Sequence, residues 1–339
     1  MHGQGTRALA SLAGSQPRRG LIALGGALAL AGRPAQADPT WPSRAVRIIV
    51  PLSAGGTLDS LTRSFAQRLQ PLAQGQPIVV ENRTGGGGTI GGNAVATARP
   101  DGYTLFMGDI GPNIVAAEVL RSAPYDPATA FTPLLHVVNV PLVLVARRNL
   151  PATTLPEVLA LARQSPEGLT YASAGVGSTA HLTMELLARQ SGARFVHVPY
   201  RGGGEMMSAI MRGDVDLTLR TGASGLESIR SGELRGIAIT TARTSPAMPE
   251  IPPIASAVPG FDVAIWHGLF GPAGMPPELT ARINALGNAA IATSEFAEGW
   301  ARPQAAEVVG GSAEDFSRFL RGEFSKWLPL VRAVGIRSE

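Results

Sequence analysis

The stretch that decides the fold is Arg47-Ile-Ile-Val-Pro51-Leu-Ser-Ala-Gly55-Gly-Thr-Leu-Asp59-Ser-Leu61. Its apolar start predicts a short buried strand, which Pro51 ends because proline cannot donate a hydrogen bond to a neighbouring strand. From Leu58 onward apolar residues recur at helical spacing, so a helix follows. The residues between strand and helix are small, so their backbone amides stay accessible. The positive end of the helix dipole lies at the same place. The stretch therefore predicts either an anion site or a tight connection that binds nothing.

A second stretch repeats this arrangement later in the chain. Residues 169–172 predict a strand, residues 173–179 are small or hydroxyl-bearing, and a helix then runs to Arg189. Two such loops, each between a strand and a helix start, predict two α/β lobes that face each other. His181 lies in the first turn of the second helix, where packing or capping competes with ligand contact as its role.

Length and composition indicate a globular protein. The 339 residues suggest about two domains, and 45% hydrophobic with 16% charged residues argue against a disordered chain. The formal charge of +4 comes from residues 1–37, which carry four arginines and no acidic residue, so the remainder is neutral. A neutral remainder gives no electrostatic basis for binding nucleic acid or an anionic membrane.

Residues 1–37 have the pattern of an export signal. Arg18-Arg19 precede an apolar run over residues 21–31, and Ala35-Gln36-Ala37 is a small-x-small cleavage site before Asp38. The run is about half as long as a membrane span, so we expect cleavage near Ala37. The paired arginines also fit a twin-arginine signal, and the export route stays open. The chain has no cysteine, which excludes disulfides and thiolate chemistry. We predict a soluble periplasmic protein.

A glycine-rich run after the next predicted strand supports a different function. The strand covers residues 78–80, and Gly86, Gly88 and Gly91 satisfy the G-x-G-x-x-G pattern of dinucleotide sites. Asp109 would then be the acid that binds the ribose. The glycines do not follow the strand directly, however, and an exported protein lacks a nicotinamide pool. A nucleotide-dependent oxidoreductase is therefore the enzyme alternative to a flexible loop.

Catalytic motifs are absent from the sequence. The five histidines have neither HExxH nor HxxxH spacing and no cysteine partner, so we expect no metal. Neither GxSxG nor a Walker A motif occurs. Anion-binding loops without a nucleophile–base pair favour binding over catalysis. We predict no enzyme activity and no cofactor.

The two loops belong to a longer series of motifs that resembles the Bug-type extracytoplasmic solute receptors of tripartite tricarboxylate transporters. The series covers essentially the whole chain after residue 37. Its members are Trp41-Pro42-Ser43-Arg44, residues 49–56 with Asp59, Val80-Glu-Asn-Arg83, Gly91, Pro100-Asp101-Gly102-Tyr103-Thr104-Leu105, Pro124-Tyr125-Asp126-Pro127, Tyr171-Ala-Ser-Ala-Gly175, Gly177-Ser178, His181, His197-Val-Pro-Tyr200, Gly271-Pro-Ala-Gly274 and Trp327. Their shared order is more specific than any single loop.

The resemblance implies an α/β fold with two lobes, the type II-like periplasmic-binding or Venus-flytrap fold, with two crossover strands and the ligand between the lobes. We expect lobe 1 to contain residues 38–140 and 262–339, and lobe 2 to contain residues 141–261. The first crossing is predicted near Val140 and the second over residues 261–265. We expect a monomer.

The resemblance also implies the site. Receptors of this family hold a carboxylate between the two loops with backbone amides, hydroxyls and bridging waters, without an arginine clamp. By position, the ligand-binding residues are Leu52, Ser53, Ala54, Gly55, Asp59, Ser173, Ala174, Gly175, Gly177, Ser178 and His181. Asp59 is expected to help set which non-carboxylate part of the ligand is accepted.

Two positions near the expected cleft depart from the family pattern. Asp109, with Ile110 and Pro112, stands where small hydroxyl residues are common, and Arg220 stands where an acid or amide is common. We include Asp109 and Arg220 among the candidate ligand-binding residues. Arg220 would suit a second carboxylate and Asp109 would repel one, unless the two pair with each other, so the preference stays open.

We therefore predict a receptor that captures a small organic acid, namely a mono-, di- or tricarboxylate or an amino acid. It would deliver this ligand to the membrane permease subunits of a tripartite tricarboxylate-type transporter. A sensor of the same fold, which hands its liganded form to a signalling partner, is the alternative. The identity of the ligand is not encoded in any motif of the sequence.

Overall fold

The computed structural model describes residues 41–115, 118, 124–200 and 203–335. The predicted export segment, residues 1–37, lies outside this range. Within it, strands and helices alternate along the chain, and the predicted α/β class is confirmed. No helix in this part of the chain is long and apolar enough to cross a membrane.

Ten strands and eight longer helices lie within the described residues. The strands are β1 (Val46–Val50), β2 (Ile78–Asn82), β3 (Thr104–Gly108), β4 (Phe131–Arg147), β5 (Leu169–Ser173), β6 (Phe195–Pro199), β7 (Leu217–Thr221), β8 (Leu234–Ile239), β9 (Ala264–Pro272) and β10 (Glu307–Val308). The helices are α1 (Thr57–Leu72), α2 (Thr89–Ala96), α3 (Leu155–Gln164), α4 (Thr179–Ser191), α5 (Gly203–Arg212), α6 (Gly222–Arg230), α7 (Pro277–Ile291) and α8 (Ala313–Val334). Short helical turns occupy Gly86–Gly88, Gly111–Val115, Ile254–Ser256, Ser294–Phe296 and Ala297–Ala301.

The strands form two sheet regions that share β4. In the first region β2, β1 and β3 are parallel, and β9 lies antiparallel between β3 and β4. In the second region β5 is parallel to β6 and β7, while β7 and β8 are antiparallel to β4. The pairing of β4 changes from β9 to β7 between Pro141 and Leu142, without a break in the strand.

The strand directions decide where the loops point. β4 is antiparallel to β9, and β9 is antiparallel to β3, so β4 runs in the same direction as β1, β2 and β3. It therefore leaves the first region on the side where those three strands end. Because β7 is antiparallel to β4, the strands β5, β6 and β7 end toward the first region. The carboxyl ends of both parallel sets therefore point at one passage, and such ends are where open α/β sheets bind ligands.

The chain returns to the first region after β8. The amide of Val263 still donates to the carbonyl of Thr240 in the second region, and β9 begins at Ala264 in the first. We propose that the two points where the chain crosses between the sheet regions are the borders of the predicted lobes. Lobe 1 would then contain residues 38–140 and 262–339, and lobe 2 would contain residues 141–261.

Helix α1 buries the apolar face that its sequence predicts. Leu58, Leu61, Phe65 and Leu69 are each at most 2% exposed. Burial of a side chain of this size stabilises the fold by about 1.5–3 kcal/mol. This packing fixes α1 against the first sheet region, so its first turn stays at the carboxyl end of β1.

The last helix, α8, begins at a capping box and ends at a glycine. Ser312 accepts a hydrogen bond from the amide of Asp315, whose carboxylate accepts the amide of Ser312 in return. Gly335 ends the helix with a φ of 68°, a left-handed conformation that glycine adopts without strain.

The middle of α8 is tied to β9 by a buried carboxylate. One oxygen of Glu323 accepts the indole N–H groups of Trp266 (3.0 Å) and Trp327 (2.8 Å). Lys326, the only lysine in the chain, donates to the other oxygen at 2.5 Å. Lys326 also donates to the carbonyl of Asp262. Glu323 and Lys326 of the helix therefore hold the segment that returns to the first region.

Candidate functional site

The first loop, residues 51–56, joins β1 to α1. Residues 52–55 are exposed. Gly56 is the N-cap of α1 and supplies no side-chain cap, so the amides of Thr57 and Leu58 have no acceptor within the described residues. Free amides at a helix start carry the positive end of the helix dipole, so this loop can accept an anion.

Asp59, a predicted ligand-binding residue, lies beneath this loop with only 4% of its surface exposed. Its carboxylate accepts hydrogen bonds from the amide of Gly55 (2.9 Å), Nε of Arg63 (3.0 Å) and Nδ2 of Asn82 (3.0 Å). Asn82 also donates to the carbonyl of Leu52. Burial would raise the pKa of Asp59, but the hydrogen bonds from Arg63, Gly55 and Asn82 hold that pKa below its ordinary value. In this arrangement Asp59 shapes the loop, and the Gly55 amide is bound to it.

Two residues of this network were missed by the sequence analysis. Arg63 follows Asp59 by four residues on one face of α1, a spacing at which opposite charges attract, and this was a usable signal. Asn82 ends β2 and reaches Asp59 only because β2 pairs with β1. That contact depends on strand order, so no local pattern indicates it.

We expect Asp59→Ala to lower the free energy of unfolding by about 1–3 kcal/mol, because the donors of Gly55 and Asn82 lose their acceptor. Chemical denaturation of the variant and the wild type measures the difference. Glu298→Ala is the control, since Glu298 pairs with Arg302 in the exposed i,i+4 arrangement and should cost less than about 1 kcal/mol. Equal losses for both variants would contradict the role given to Asp59.

The second loop, residues 174–178, joins β5 to α4. Ser173 is fully buried at the end of β5, Ala174 is exposed, and Val176 is 62% exposed. Gly175 has a φ of 116°, which residues with a side chain rarely adopt. Its amide donates to Oγ of Ser173 at 3.1 Å. The loop therefore has a defined shape that uses the Gly175 amide internally.

The start of α4 resembles that of α1 in having free amides. Ser178 caps the helix by accepting the amide of His181 at 3.3 Å. The amides of Thr179 and Ala180 have no acceptor in the part of the chain that the structure describes. These two amides, at the positive end of the dipole of α4, form the second anion-binding position.

Stacked aromatic rings lie behind the second loop. The ring centroids of His181 and His197 are 4.0 Å apart at an interplanar angle of 14°, and Tyr171 stacks on His197 at 5.1 Å. Burial lowers the pKa of His181. Burial, and to a lesser degree His181, lowers the pKa of His197 to about 4, although Glu185 acts in the opposite sense. Both imidazoles are therefore neutral at pH 7.

The two neutral rings hold the loop backbone. Nδ1 of His181 accepts the amide of Gly177 at 3.0 Å, which requires that this nitrogen carries no proton. Nε2 of His197 lies 2.5 Å from Oγ of Ser173. The sequence predicts no nucleophile–base pair, yet the fold brings this serine and histidine together. Ser173 has no exposed surface, so its hydroxyl supports the loop and does not meet a substrate.

The third loop follows β3 and contacts the other loops of the first region. A side chain added at Gly88 would touch Pro112 of this loop at 3.1 Å and Pro51 at 3.2 Å, so the three loops are packed together. Asp109 is 9% exposed, and its Oδ1 accepts the amide of Gly111 at 2.9 Å. Burial raises the pKa of Asp109 to about 6, against the opposing effect of the Gly111 bond.

Arg220 lies in β7 beside α6. A side chain added at Gly225 of α6 would lie 3.4 Å from its Cβ. Burial lowers the pKa of Arg220, and the charges that act on it belong to Glu227 and Glu233. No ion pair joins Arg220 to Asp109 within the described residues, so the pairing considered from the sequence does not occur there.

The glycine-rich run that suggested a dinucleotide site is explained by close packing. A side chain at Gly91 would lie 2.8 Å from the carbonyl oxygen of Arg83, and one at Gly92 would lie 2.2 Å from the Tyr125 hydroxyl. These glycines let α2 approach its neighbours, which is a structural reason for the pattern that needs no nucleotide.

Known proteins share this architecture. The family described as tripartite tricarboxylate transporter family receptor, TctC, matches residues 62–336. BugT of Bordetella pertussis is 33% identical over 321 residues, which cover 94% of this chain and 98% of BugT. The structure of R. palustris Rpa4515 with adipate is 35% identical with a TM-score of 0.74, covering 87% of this chain and 98% of Rpa4515. The periplasmic binding protein BugD is 30% identical with a TM-score of 0.70, covering 88% of this chain and 100% of BugD.

These similarities confirm the two-lobed periplasmic-binding fold and the Bug-type resemblance read from the sequence. The family consists of solute-binding receptors, which agrees with a site built from loops and backbone amides. The chain belongs to the TctC family of receptors of tripartite tricarboxylate transporters.

Proposed function

We propose that this receptor binds one carboxylate of a small organic acid between the first and second loops in the periplasm and delivers the acid to the permease subunits of its transporter. The observation that carries the proposal is the pair of helix starts with free amides. Thr57 and Leu58 supply one set, and Thr179 and Ala180 supply the other. Both sets lie at carboxyl strand ends that point at the same passage.

The residue pairing along β4 gives the distance between the carboxyl ends of the two parallel sets of strands. Gly268 of β9 pairs with Gly108, at the end of β3, and with His136 of β4, so His136 marks where the first set of strands ends. Leu142 pairs with Thr221, at the end of β7, and marks where the second set ends. Six residues of extended chain separate these two positions, which corresponds to about 20 Å at 3.3 Å per residue. The loops extend into this interval from both sides, and we place the small molecule between them.

Amides and hydroxyls supply the binding energy in this proposal. Residues 51–58 and 173–181 contain no lysine or arginine, so a carboxylate there meets backbone amides and the hydroxyl of Ser53. Hydrogen bonds to a charged group contribute about 1.5–3 kcal/mol each. Three or four of them, less the cost of ordering, are compatible with a micromolar Kd, which corresponds to about −8.2 kcal/mol. Lobe closure over the ligand would then follow from tighter binding in the closed state.

Proline at the first position of α4 tests the proposal sharply. Thr179 is the first helical residue, where proline fits the backbone and removes the hydroxyl together with an amide that has no acceptor among the described residues. The preceding Ser178 has a ψ of 155°, which is compatible with a following proline. We expect Thr179→Pro to weaken carboxylate binding by about 10- to 150-fold, which corresponds to the loss of one charge-assisted hydrogen bond.

Calorimetry with an acid found by thermal-shift screening measures this effect. Thr179→Ala is the matched control, because it removes the hydroxyl and keeps the amide, so its affinity should remain close to that of the wild type. Thr57→Pro repeats the test at α1, where Gly56 has a ψ of 173°. Unchanged affinity in both proline variants, with a normal melting temperature, would place the ligand elsewhere.

A further inference from the structure

The carboxylate of Asp109 has a hydrogen-bond partner for only one of its oxygens among the described residues. Oδ1 accepts the amide of Gly111, whereas Oδ2 has no hydrogen-bond partner within the described residues. The residue is 9% exposed. Oδ2 is not one of the fully buried atoms that lack a partner, so it remains accessible at the end of a strand whose loop borders the proposed ligand space and can accept a hydrogen bond from a bound molecule.

No cation of the described residues offsets the charge of Asp109. Burial raises its pKa, the Gly111 amide lowers it, and no described cation acts on it. The charge of Asp109 acts on Tyr125, whose hydroxyl donates to the carbonyl of Pro112 at 2.9 Å and is therefore directed elsewhere. Arg220, the cation expected near the cleft, forms no ion pair with Asp109, and the charges that act on its pKa belong to Glu227 and Glu233.

Asp109 also lies near the first loop. Its own loop packs against Gly88, and Gly88 packs against Pro51 at the start of the first loop. A small acid whose carboxylate is held at the start of α1 extends its remaining atoms past this contact. A group at its other end then faces a negative charge that no described residue neutralises.

We propose that Asp109 sets the ligand class, so that the site takes a small monocarboxylate whose second polar group donates a hydrogen bond, an ammonium or a hydroxyl, and disfavours a second carboxylate. The inference rests on the proposed function, because the first carboxylate must lie between the two loops. An ammonium gains attraction to Asp109, a hydroxyl gains a hydrogen bond, and a second carboxylate meets repulsion in a poorly solvated space.

Calorimetry with ligands of one carbon length tests the inference. The probes are 6-aminohexanoate, 6-hydroxyhexanoate, hexanoate and adipate, with the corresponding four-carbon series from 4-aminobutyrate to succinate. At pH 7.5 we expect the wild type to bind a donor-bearing acid about tenfold or more tightly than the dicarboxylate of the same length. Asp109→Asn should reduce this ratio by about tenfold, and Glu298→Gln, which removes an exposed charge of lobe 1, should leave it unchanged.

A pH comparison gives a second readout. At pH 5.5 about half or more of the Asp109 side chains are protonated, so the wild type should accept the dicarboxylate more readily than at pH 7.5. Asp109→Asn should show a smaller change. His197 has a pKa of about 4 and the pKa of Tyr125 is raised, so neither changes charge in this range.

The outcomes separate the two proposals. A dicarboxylate bound as tightly as the donor-bearing acid, with no change in Asp109→Asn but a loss in Thr179→Pro, overturns the inference and supports the proposed function. An affinity that is unchanged in both Thr179→Pro and Thr57→Pro overturns the proposed function. If no acid of either series binds the wild type, the inference fails for ligands of these lengths, while the proline variants still test the site with any acid found by screening.

Discussion

Glu323→Leu should lower the free energy of unfolding by about 3–5 kcal/mol, the cost of removing one partner from a buried charged network. The side chains of Trp266 and Trp327 are fully buried, and their indole N–H groups share one oxygen of Glu323. Leucine fills a similar volume but accepts no hydrogen bond, so both donors stay unsatisfied. Lys326 loses its partner as well, although it is partly exposed and can turn to solvent.

Denaturation followed by tryptophan fluorescence measures this loss. Glu323→Gln is the informative second variant, because its amide oxygen still accepts both indoles, and we expect an intermediate cost. Glu314→Leu places the same substitution on the exposed start of α8 and should change stability by less than about 1 kcal/mol. Similar stabilities for Glu323→Leu and Glu314→Leu would show that the network does not hold α8.

Asp109→Asn should raise the free energy of unfolding at pH 7 by up to about 3 kcal/mol. The folded pKa of about 6 lies roughly two units above the ordinary value of 3.8, and each unit corresponds to about 1.36 kcal/mol. Because the folded state holds this proton more tightly, the wild type loses stability as the pH rises from 4 through 6. Asparagine removes the buried charge, and its side-chain oxygen still accepts the Gly111 amide.

Unfolding titrations at several pH values check this prediction. The stability difference between the variant and the wild type should be close to zero at pH 4 and should grow to its full size by pH 7. Glu298→Gln serves as the control at each pH, since its exposed carboxylate pairs only at the surface. A difference that is independent of pH would show that Asp109 ionises in the fold at an ordinary pKa.

Local patterns predicted most of the elements. The strand before the first loop, the buried face of α1, the caps of α8 and both helix starts follow from residues close together in sequence. Helix α6 is the clearest omission. It opens with Gly222-Ala-Ser-Gly225, residues that read as a turn, but Gly225 packs on Val143 and Gly222 on Ala305, which a larger residue would prevent. Tertiary packing there outweighs a poor local propensity.

The partners of the site residues were not predictable in the same way. Asp59 was expected to face the ligand, and the structure places it among Gly55, Arg63 and Asn82. His181 and His197 stack because β5 and β6 are neighbours in the sheet. Asp59 lies four residues from both Gly55 and Arg63, whereas its contact with Asn82 and the stacking of the two histidines have no characteristic spacing in the chain.

The sequence by itself determined the α/β class, the two amide-lined loops and, through its ordered motifs, the family. Helix periods, caps and strand ends depend on hydrogen bonds and apolar contacts between residues a few positions apart, so the local sequence determines them. Only the tertiary structure decided which amides of the described residues stay free, that Arg220 does not pair with Asp109, and that no described cation acts on Asp109. Those facts depend on strand order and on the burial of charges far apart in the chain, because an electrostatic environment is set by spatial neighbours and not by sequence neighbours.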